Sequence, residues 1–423
     1  MSISDSGLEV ARKTPVQPTE SWSPQQRAWR GIDVDRTVHN SAYDAATFER
    51  ELQTIFQRAW LFLCHESEIG APGSYMRRTL PDGDAIFLVR DADGVVRAFN
   101  NVCPHRGTLL VVEEEGCSKN LLCPYHNWAF GLDGSLQGVP MEAAYADTGF
   151  RKESFGLTPV CVEVELGLVF VRAAADGPSL REYLGDELLS WLDRPFGQVP
   201  LEVFKRTSRV LNANWKAWSE NARDGYHVPF VHKFLKKGSP PQPYHLFSSD
   251  HQVQQIHQGA EAVDERTWQE STDHAFPGFE RGEGYIAVAF PDLVITPRTN
   301  VIEIFSQTPI DHLTTVLEIR ILGAAGDSEE QRRARRLGYE VWLSKQPDED
   351  AAIMEAQAIG LQSSRARASL IARGSEGLTG TRGDDKRLRQ FWNSWRTYTG
   401  LNVNAGVNDQ DWFTADPSHV HLG

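Results

Sequence analysis

Cys103-Pro104-His105-Arg106-Gly107 and Cys123-Pro124-Tyr125-His126-Asn127-Trp128 decide the fold of this 423-residue chain. Seventeen residues, Arg106 to Leu122, separate the two Cys/His pairs. Two thiols and two imidazoles in Cys-x-His and Cys-x-x-His spacing are the ligand set of a [2Fe–2S] centre in which two His replace two Cys on one iron. Cys103 and Cys123 would then bind the first iron, and His105 and His126 the second. A structural zinc site also takes two of each residue. Zinc sites, however, usually pair Cys with Cys and His with His at close spacing. Here each pair is mixed and each Cys is followed by Pro, which favours the iron–sulfur reading.

The length exceeds what one core usually organises, so two domains are expected. Charged residues make up 24% and hydrophobic residues 40%, both ordinary for a globular protein. A formal net charge of −14 argues against nucleic acid or an anionic membrane as partner. Met1 to Pro15 is polar and lacks the apolar stretch of a signal peptide. No uncharged apolar run reaches the length of a membrane span. Of the five cysteines, Cys64, Cys117 and Cys161 remain after the cluster takes its two. An odd remainder speaks against a disulfide framework, and a cytoplasmic protein is expected.

Working outward, residues 1–40 read as a loose arm. Phe48, Leu52, Ile55, Phe56 and Trp60 recur at helical spacing, which predicts an amphipathic helix over Ser41 to Trp60. The arm and this helix form a first segment, 1–56. Short β-rich runs cut by turns follow, among them Ala85-Ile-Phe-Leu-Val89 with the hairpin signal Asp91-Ala-Asp-Gly94. They predict a small all-β domain over 57–175, with the cluster at its loop tips. Arg106 and Gly107 read as turn residues, and Trp128 as packing over the cluster. A helix over Leu180 to Leu192 then leads into a second domain, 176–423.

That domain opens with a second constellation, Glu220-Asn221-Ala-Arg-Asp224-Gly-Tyr226-His227 followed by His232. Asp224 and His227, at i and i+3, would share a helical face. His232 would sit roughly 140° round an ideal helix, and Pro229 can bend the chain to bring it back. Strands are expected over Tyr285 to Phe290, Leu293 to Ile295, Val301 to Phe305 and Thr314 to Leu322. Helices are expected over Ser328 to Trp342 and Asp348 to Leu361, the second with three acidic residues near its start that suit the helix dipole. The tail from Asn402 is polar, and His419 and His421 read as exposed.

Two His beside a distant carboxylate form the facial triad of non-haem Fe(II) oxygenases, and a one-electron cluster is what such an iron needs. From Trp60 to about Trp395 the chain resembles the Rieske non-haem iron aromatic ring-hydroxylating oxygenases, specifically their large (α) catalytic subunits. The resemblance rests on Cys-Pro-His-Arg-Gly, Cys-Pro-Tyr-His-x-Trp and Glu-Asn-x-x-Asp-x-Tyr-His-x4-His, in that order. It implies an α+β architecture: a small all-β Rieske domain and a helix-grip-like catalytic domain, an antiparallel sheet covered by helices that enclose the substrate pocket. It implies a Rieske [2Fe–2S] cluster and a mononuclear Fe(II) held by His227, His232 and a carboxylate before the last helix. Asp385 fits that register, with Asp384 as rival or as helix cap, and Glu376 further off.

The resemblance further implies a terminal oxygenase that uses O2 and hydroxylates an aromatic substrate. Electrons would come from NAD(P)H through a separate reductase or ferredoxin, since the chain has no Gly-x-Gly-x-x-Gly fingerprint. A ring of three subunits is expected, α3 or with a small β subunit α3β3, in which Asp224 links one subunit's His227 to its neighbour's His126. The compact second motif looks most like the branch acting on aromatic acids. Asn221 and Arg298 are pocket candidates: Arg298 could pair with an aromatic carboxylate, although a surface arginine is the plainer reading. The alternatives are an oxidative demethylase or quaternary-ammonium monooxygenase, and an electron carrier without the second iron.

Overall fold

The computed structural model describes residues 36–232, 243–259, 262–363, 368–374, 383–401 and 403. The arm over 1–35, Glu376, His419 and His421 lie outside the described residues. The expected helix over Ser41 to Trp60 is three pieces: a 3-10 turn Asn40–Tyr43, an α-helix Ala45–Glu51 and a π-helical turn Leu52–Phe56. Asp44 divides the first two, because its extended backbone and side chain cap the α-helix at the Thr47 N–H.

Around the two Cys/His loops lie three small antiparallel sheets. Val96–Asn100, Ala85–Arg90, Ser74–Thr79 and Glu115–Cys117 form one of four strands. Leu121–Leu122, Ala129–Phe130 and Leu136–Gly138 form the second. Cys161–Glu165, Leu168–Arg172 and Leu61–His65 form the third. Asp91 organises the predicted hairpin turn, accepting from the Asp93 and Val95 N–H groups. The side chain of Asn101 pins the first cluster loop: it accepts from the Leu110 and Val111 N–H groups and donates to the Val111 carbonyl.

The second half is built on a seven-stranded antiparallel sheet. Its order is Leu201–Leu211, Thr315–Ala324, Ile302–Pro309, Leu293–Pro297, Glu283–Ala289, Gln252–His257, Tyr244–Leu246. The four strands expected from apolar runs are its centre, and Leu293–Pro297 is buried at all five positions. The other three strands carry no such run. Leu201–Leu211 is an edge strand bearing Lys205, Arg206 and Arg209, charges that keep an open edge from pairing with another chain.

Helices cover this sheet. Leu180–Phe196 runs four residues beyond the expected end and kinks at Gly185, whose φ of 74° is open to glycine. Glu329–Trp342 begins at a capping box of Ser328 and Gln331. Gln346–Leu361 and Lys386–Thr399 complete the cover.

The two halves share packing. One apolar core joins Leu61, Met76 and Leu88 to Trp215, Leu388 and Trp395. Buried Arg320 reaches from the large sheet to Glu68 at 2.8 Å and to the Leu63 carbonyl at 2.8 Å. Among the described residues no helix is long and apolar enough to cross a membrane, and none of the five cysteines is in a disulfide.

Candidate metal centres

The two cluster loops are built alike. The carbonyl of Cys103 accepts from the Gly107 N–H, and that of Cys123 from the Asn127 N–H, each at 2.9 Å. Each loop turns through a left-handed residue, Gly107 at φ 76° and Asn127 at φ 57°, types that tolerate that region. The turns bring both imidazoles together, with ring centroids 4.6 Å apart. Trp128 stacks flat on His105 at 4.6 Å, so it packs over the centre as expected.

Both Cys are buried, and the Nδ1 atoms of His105 and His126 are buried without any hydrogen-bond partner. Burial raises the Cys103 thiol; the His105 and Arg106 N–H groups oppose it, and the Cys123 thiol beside it adds to the rise. Two buried sulfurs and two orphaned ring nitrogens fit a group that takes four ligands and neutralises thiolate charge.

The second centre draws on distant parts of the chain. The helix Trp215–Asn221 ends before Asp224, so Asp224 and His227 do not share a helical face. They meet in the loop that follows, with Asp224 Oδ2 3.5 Å from His227 Nδ1. A short helix Val228–Val231 starts at His227 with Pro229 in its first turn, and ends at His232, whose ψ of 85° has left the helix. That break swings the second imidazole back, and the two ring centroids stand 5.3 Å apart.

The carboxylate that joins them is Asp350, which corrects the expectation of Asp385. Ligand atoms of His227, His232 and Asp350 lie within 4.8 Å of one another. Asp350 Oδ1 is 3.4 Å from His227 Nε2 and 3.3 Å from His232 Nε2, yet it is buried with no hydrogen-bond partner. Two imidazoles and one orphaned carboxylate oxygen are the donor set of a 2-His-1-carboxylate iron site. Glu349, one residue earlier, binds His232 Nδ1 at 2.9 Å, which leaves Nε2 toward Asp350. Glu349 stands in the first turn of Gln346–Leu361 and Asp350 directly after it, both among the acids read from sequence as dipole charges.

Asp385 is engaged elsewhere. Its two oxygens take the Arg373 guanidinium at 2.7 Å and the Arg373 backbone N–H at 2.8 Å. Asp384, one residue before the N-cap Asp385, accepts from the Lys386 N–H at 3.0 Å and from the Tyr244 hydroxyl. Arg373 also reaches Asp224 Oδ1 at 3.3 Å, and the Tyr226 N–H donates to the same oxygen at 2.8 Å. The oxygen expected to be open for a neighbouring subunit therefore already has two donors.

Charges in the site are strongly coupled. Burial alone would raise the Asp224 carboxyl, but His227, the Tyr226 N–H and Arg373 outweigh it and hold it below the usual range. Burial likewise disfavours a charged His227, yet Asp224 and Asp350 lift it to about 9. That is the reading without a cation; a bound metal ion supplies the positive charge those carboxylates attract.

A cleft of about 1120 Å³, open to solvent, reaches all three residues and is also lined by Asn221 and Arg298. Arg298 lies one residue past the strand Leu293–Pro297 and is 4% exposed, which overturns the plainer reading of a surface arginine.

Comparison with known proteins agrees with this geometry. Residues 59–155 match the Rieske [2Fe-2S] domain, and residues 200–400 match the ring hydroxylating alpha subunit (catalytic domain). The 2-aminobenzenesulfonate 2,3-dioxygenase subunit alpha of Alcaligenes sp is 33% identical over 374 residues, covering 86% of this chain and 93% of that one. A terephthalate 1,2-dioxygenase terminal oxygenase subunit alpha of Comamonas sp is 29% identical over 411 residues, covering 89% of this chain and 98% of that one.

Among solved structures, naphthalene 1,2-dioxygenase with indole bound superposes with a TM-score of 0.71 at 26% identity, covering 89% of this chain and 94% of that one. A quaternary ammonium Rieske monooxygenase superposes at 0.72 with 22% identity, over 87% and 97%, a likeness of fold alone. With its cluster loops, its second metal centre and these relatives together, the chain belongs to the Rieske-type ring-hydroxylating oxygenases as an alpha subunit, a terminal oxygenase component whose cofactors are a [2Fe–2S] cluster and a mononuclear iron.

Proposed function

We propose that this subunit hydroxylates an aromatic acid, with His227, His232 and Asp350 as the iron ligands and Cys103, His105, Cys123 and His126 as the cluster ligands. The observation that carries the substrate class is the buried cation of Arg298 in the same cleft as the two His and Asp350. Its planar fork matches a carboxylate or sulfonate, in a place where it also donates to the Tyr285 carbonyl and lies near the buried carboxyl of Glu303. The relatives named for aminobenzenesulfonate and terephthalate act on aromatic anions, which supports the reading.

His227, His232 and Asp350 would hold the iron, which would supply dioxygen activation with single electrons from a cluster held by the two Cys/His loops. The residues of the chain do the rest. Glu349 fixes the orientation of His232, and Asp224 faces the ring of His227. Val228, Ile256, Ile286, Val294 and Phe305 give the aromatic ring an apolar bed that excludes water. Dioxygenation adds both oxygen atoms, two electrons and two protons to the ring; monohydroxylation consumes the same and releases the second oxygen as water.

The electron donor is a separate ferredoxin or NAD(P)H-dependent reductase, and the assembly a trimer, α3 or α3β3, in the cytoplasm. Within it Asp224 carries the electron between a neighbour's His126 and His227, which requires Oδ2 to serve both rings or Oδ1 to release Arg373. The chain divides at 57–175 for the cluster domain and 176–423 for the catalytic domain.

The test is oxygen uptake and product analysis over aromatic acids, neutral arenes and methylamines, with a surrogate reductase and iron counted. Turnover of acids with about three irons per chain is expected. Turnover confined to neutral arenes or methylamines overturns the substrate class, and two irons per chain makes the protein an electron carrier. A quaternary ammonium substrate is disfavoured by Arg298, because a buried cation repels another.

A further inference from the structure

The floor of the substrate cleft is one face of the large sheet. Gln254 and Ile256 lie two apart on one strand, and Val294 and Thr296 two apart on another, so their side chains share a face. The strand Glu283–Ala289, which supplies Ile286, runs between them. Two strand spacings put the outer strands about 10 Å apart.

Along this floor the polar groups stand at two levels. Gln254 is opposite Ile286, and Ile256 is opposite Gly284. Gly284 lies against the Arg298 side chain: a Cβ there would stand 3.1 Å from Arg298 Cδ. Arg298 thus belongs to the Ile256 level, about 7 Å along the strands from the level of Gln254. Trp218 stands past the Gln254 level, its ring 4.8 Å from that of Phe305, which pairs with Val294.

Two donors in this second region lack acceptors. Gln254 Nε2 and Trp218 Nε1 are buried with no hydrogen-bond partner, in side chains 2% and 4% exposed. The direction of the Gln254 amide is not arbitrary. Arg387 Nη1 donates to Gln254 Oε1, and a guanidinium has no acceptor to offer. The NH2 group must therefore face away from Arg387. A buried donor without a partner carries a desolvation cost that a ligand with an acceptor at that place removes.

Resting on the aromatic-acid reading above, we propose that the substrate is an aromatic acid with a second hydrogen-bond acceptor on another ring position. Arg298 takes the acid group, while Gln254 Nε2 and Trp218 Nε1 read the second substituent, such as a carboxylate, carbonyl or hydroxyl oxygen. A site built around such donors rejects an analogue that leaves them unpaired.

The holoenzyme is titrated anaerobically by calorimetry with benzoate, benzene-1,4-dicarboxylate, 2-hydroxybenzoate and naphthalene. At least one disubstituted acid should bind about tenfold or more tightly than benzoate. Gln254→Glu keeps the acceptor for Arg387 but replaces the donor with a repelling oxygen, and should erase that preference. Trp218→Phe should reduce it severalfold while the benzoate affinity changes less. Equal binding of benzoate and all disubstituted acids overturns the inference and leaves the aromatic-acid reading standing, as does a preference that survives both substitutions. Binding of naphthalene alone overturns both.

Discussion

In the cluster loops each ligand lies within three residues of another, and every one comes from a turn of the same construction. In the iron pocket two ligands are neighbours, while the third follows Glu349, which is 117 residues from its partner His232. The first site can form as soon as two short loops close. The second needs the seven-stranded sheet in place, because six of its strands stand between His232 and Gln346–Leu361 in the chain. Metal retention in the first is thus a local property, and in the second a property of the whole catalytic half.

Asp350→Ala tests this contrast most severely. Turnover should fall to background and the mononuclear iron should be lost, with the visible spectrum of the cluster unchanged. Iron analysis beside that spectrum decides it, and an active variant would return the third ligand to an open question. Glu349→Gln should be milder, weakening iron binding about 10–100-fold, as the loss of a partner to a ligating His does. Competition with a chelator reads this, and an unchanged affinity would make the 2.9 Å contact incidental.

Asp385→Ala separates the structure from the sequence expectation. It should keep its iron, yet lose about 1–3 kcal/mol of stability because Arg373 loses the nearer of its two carboxylate partners and its backbone N–H loses its acceptor. Loss of iron with stability intact would restore Asp385 as a ligand. At the small end, Asn127→Gly should change the melting temperature and cluster spectrum little, because glycine accepts the same left-handed turn as Gly107 in the sister loop. A large loss would mean that the two loops are not equivalent.

What was legible from sequence follows the same division. That Cys103, His105, Cys123 and His126 stand on two paired loops could be read, because the spacing within short motifs sets it. That the rings of His227 and His232 come together could be read for the same reason, although the helical face expected for Asp224 is a loop. Asp350 stood in plain view among three acids at a helix start, where the dipole explains acidic residues without any metal. Only the fold distinguishes it, by turning that helix end toward the histidines. Asp385 was favoured from family register and position before the last helix, and neither reports which way a side chain faces.

The same limit applied to the sheet. Its apolar centre was found, but Leu201–Leu211 and Gln252–His257 are polar and gave no hydrophobic signal. Gln254 lies on the second of these. Arg298 was named as a candidate, yet its burial depends on strands far from it in sequence.

Glu51 has a consequence for how this protein can change. Its carboxylate accepts from Lys216 Nζ at 2.5 Å, from Trp215 Nε1 at 2.7 Å and from Trp395 Nε1 at 2.6 Å, all without exposure to water. Removing either charge alone strands the other in an apolar core, at a cost of about 3–5 kcal/mol, and exchanging both for apolar residues spares that cost but leaves the buried Trp215 and Trp395 N–H groups without their acceptor. The two positions are therefore heritable only as a unit: a lineage that loses Glu51 must lose Lys216 with it. Any shortened form that begins beyond residue 51 would inherit the same debt, at the root of the helix that leads to His227.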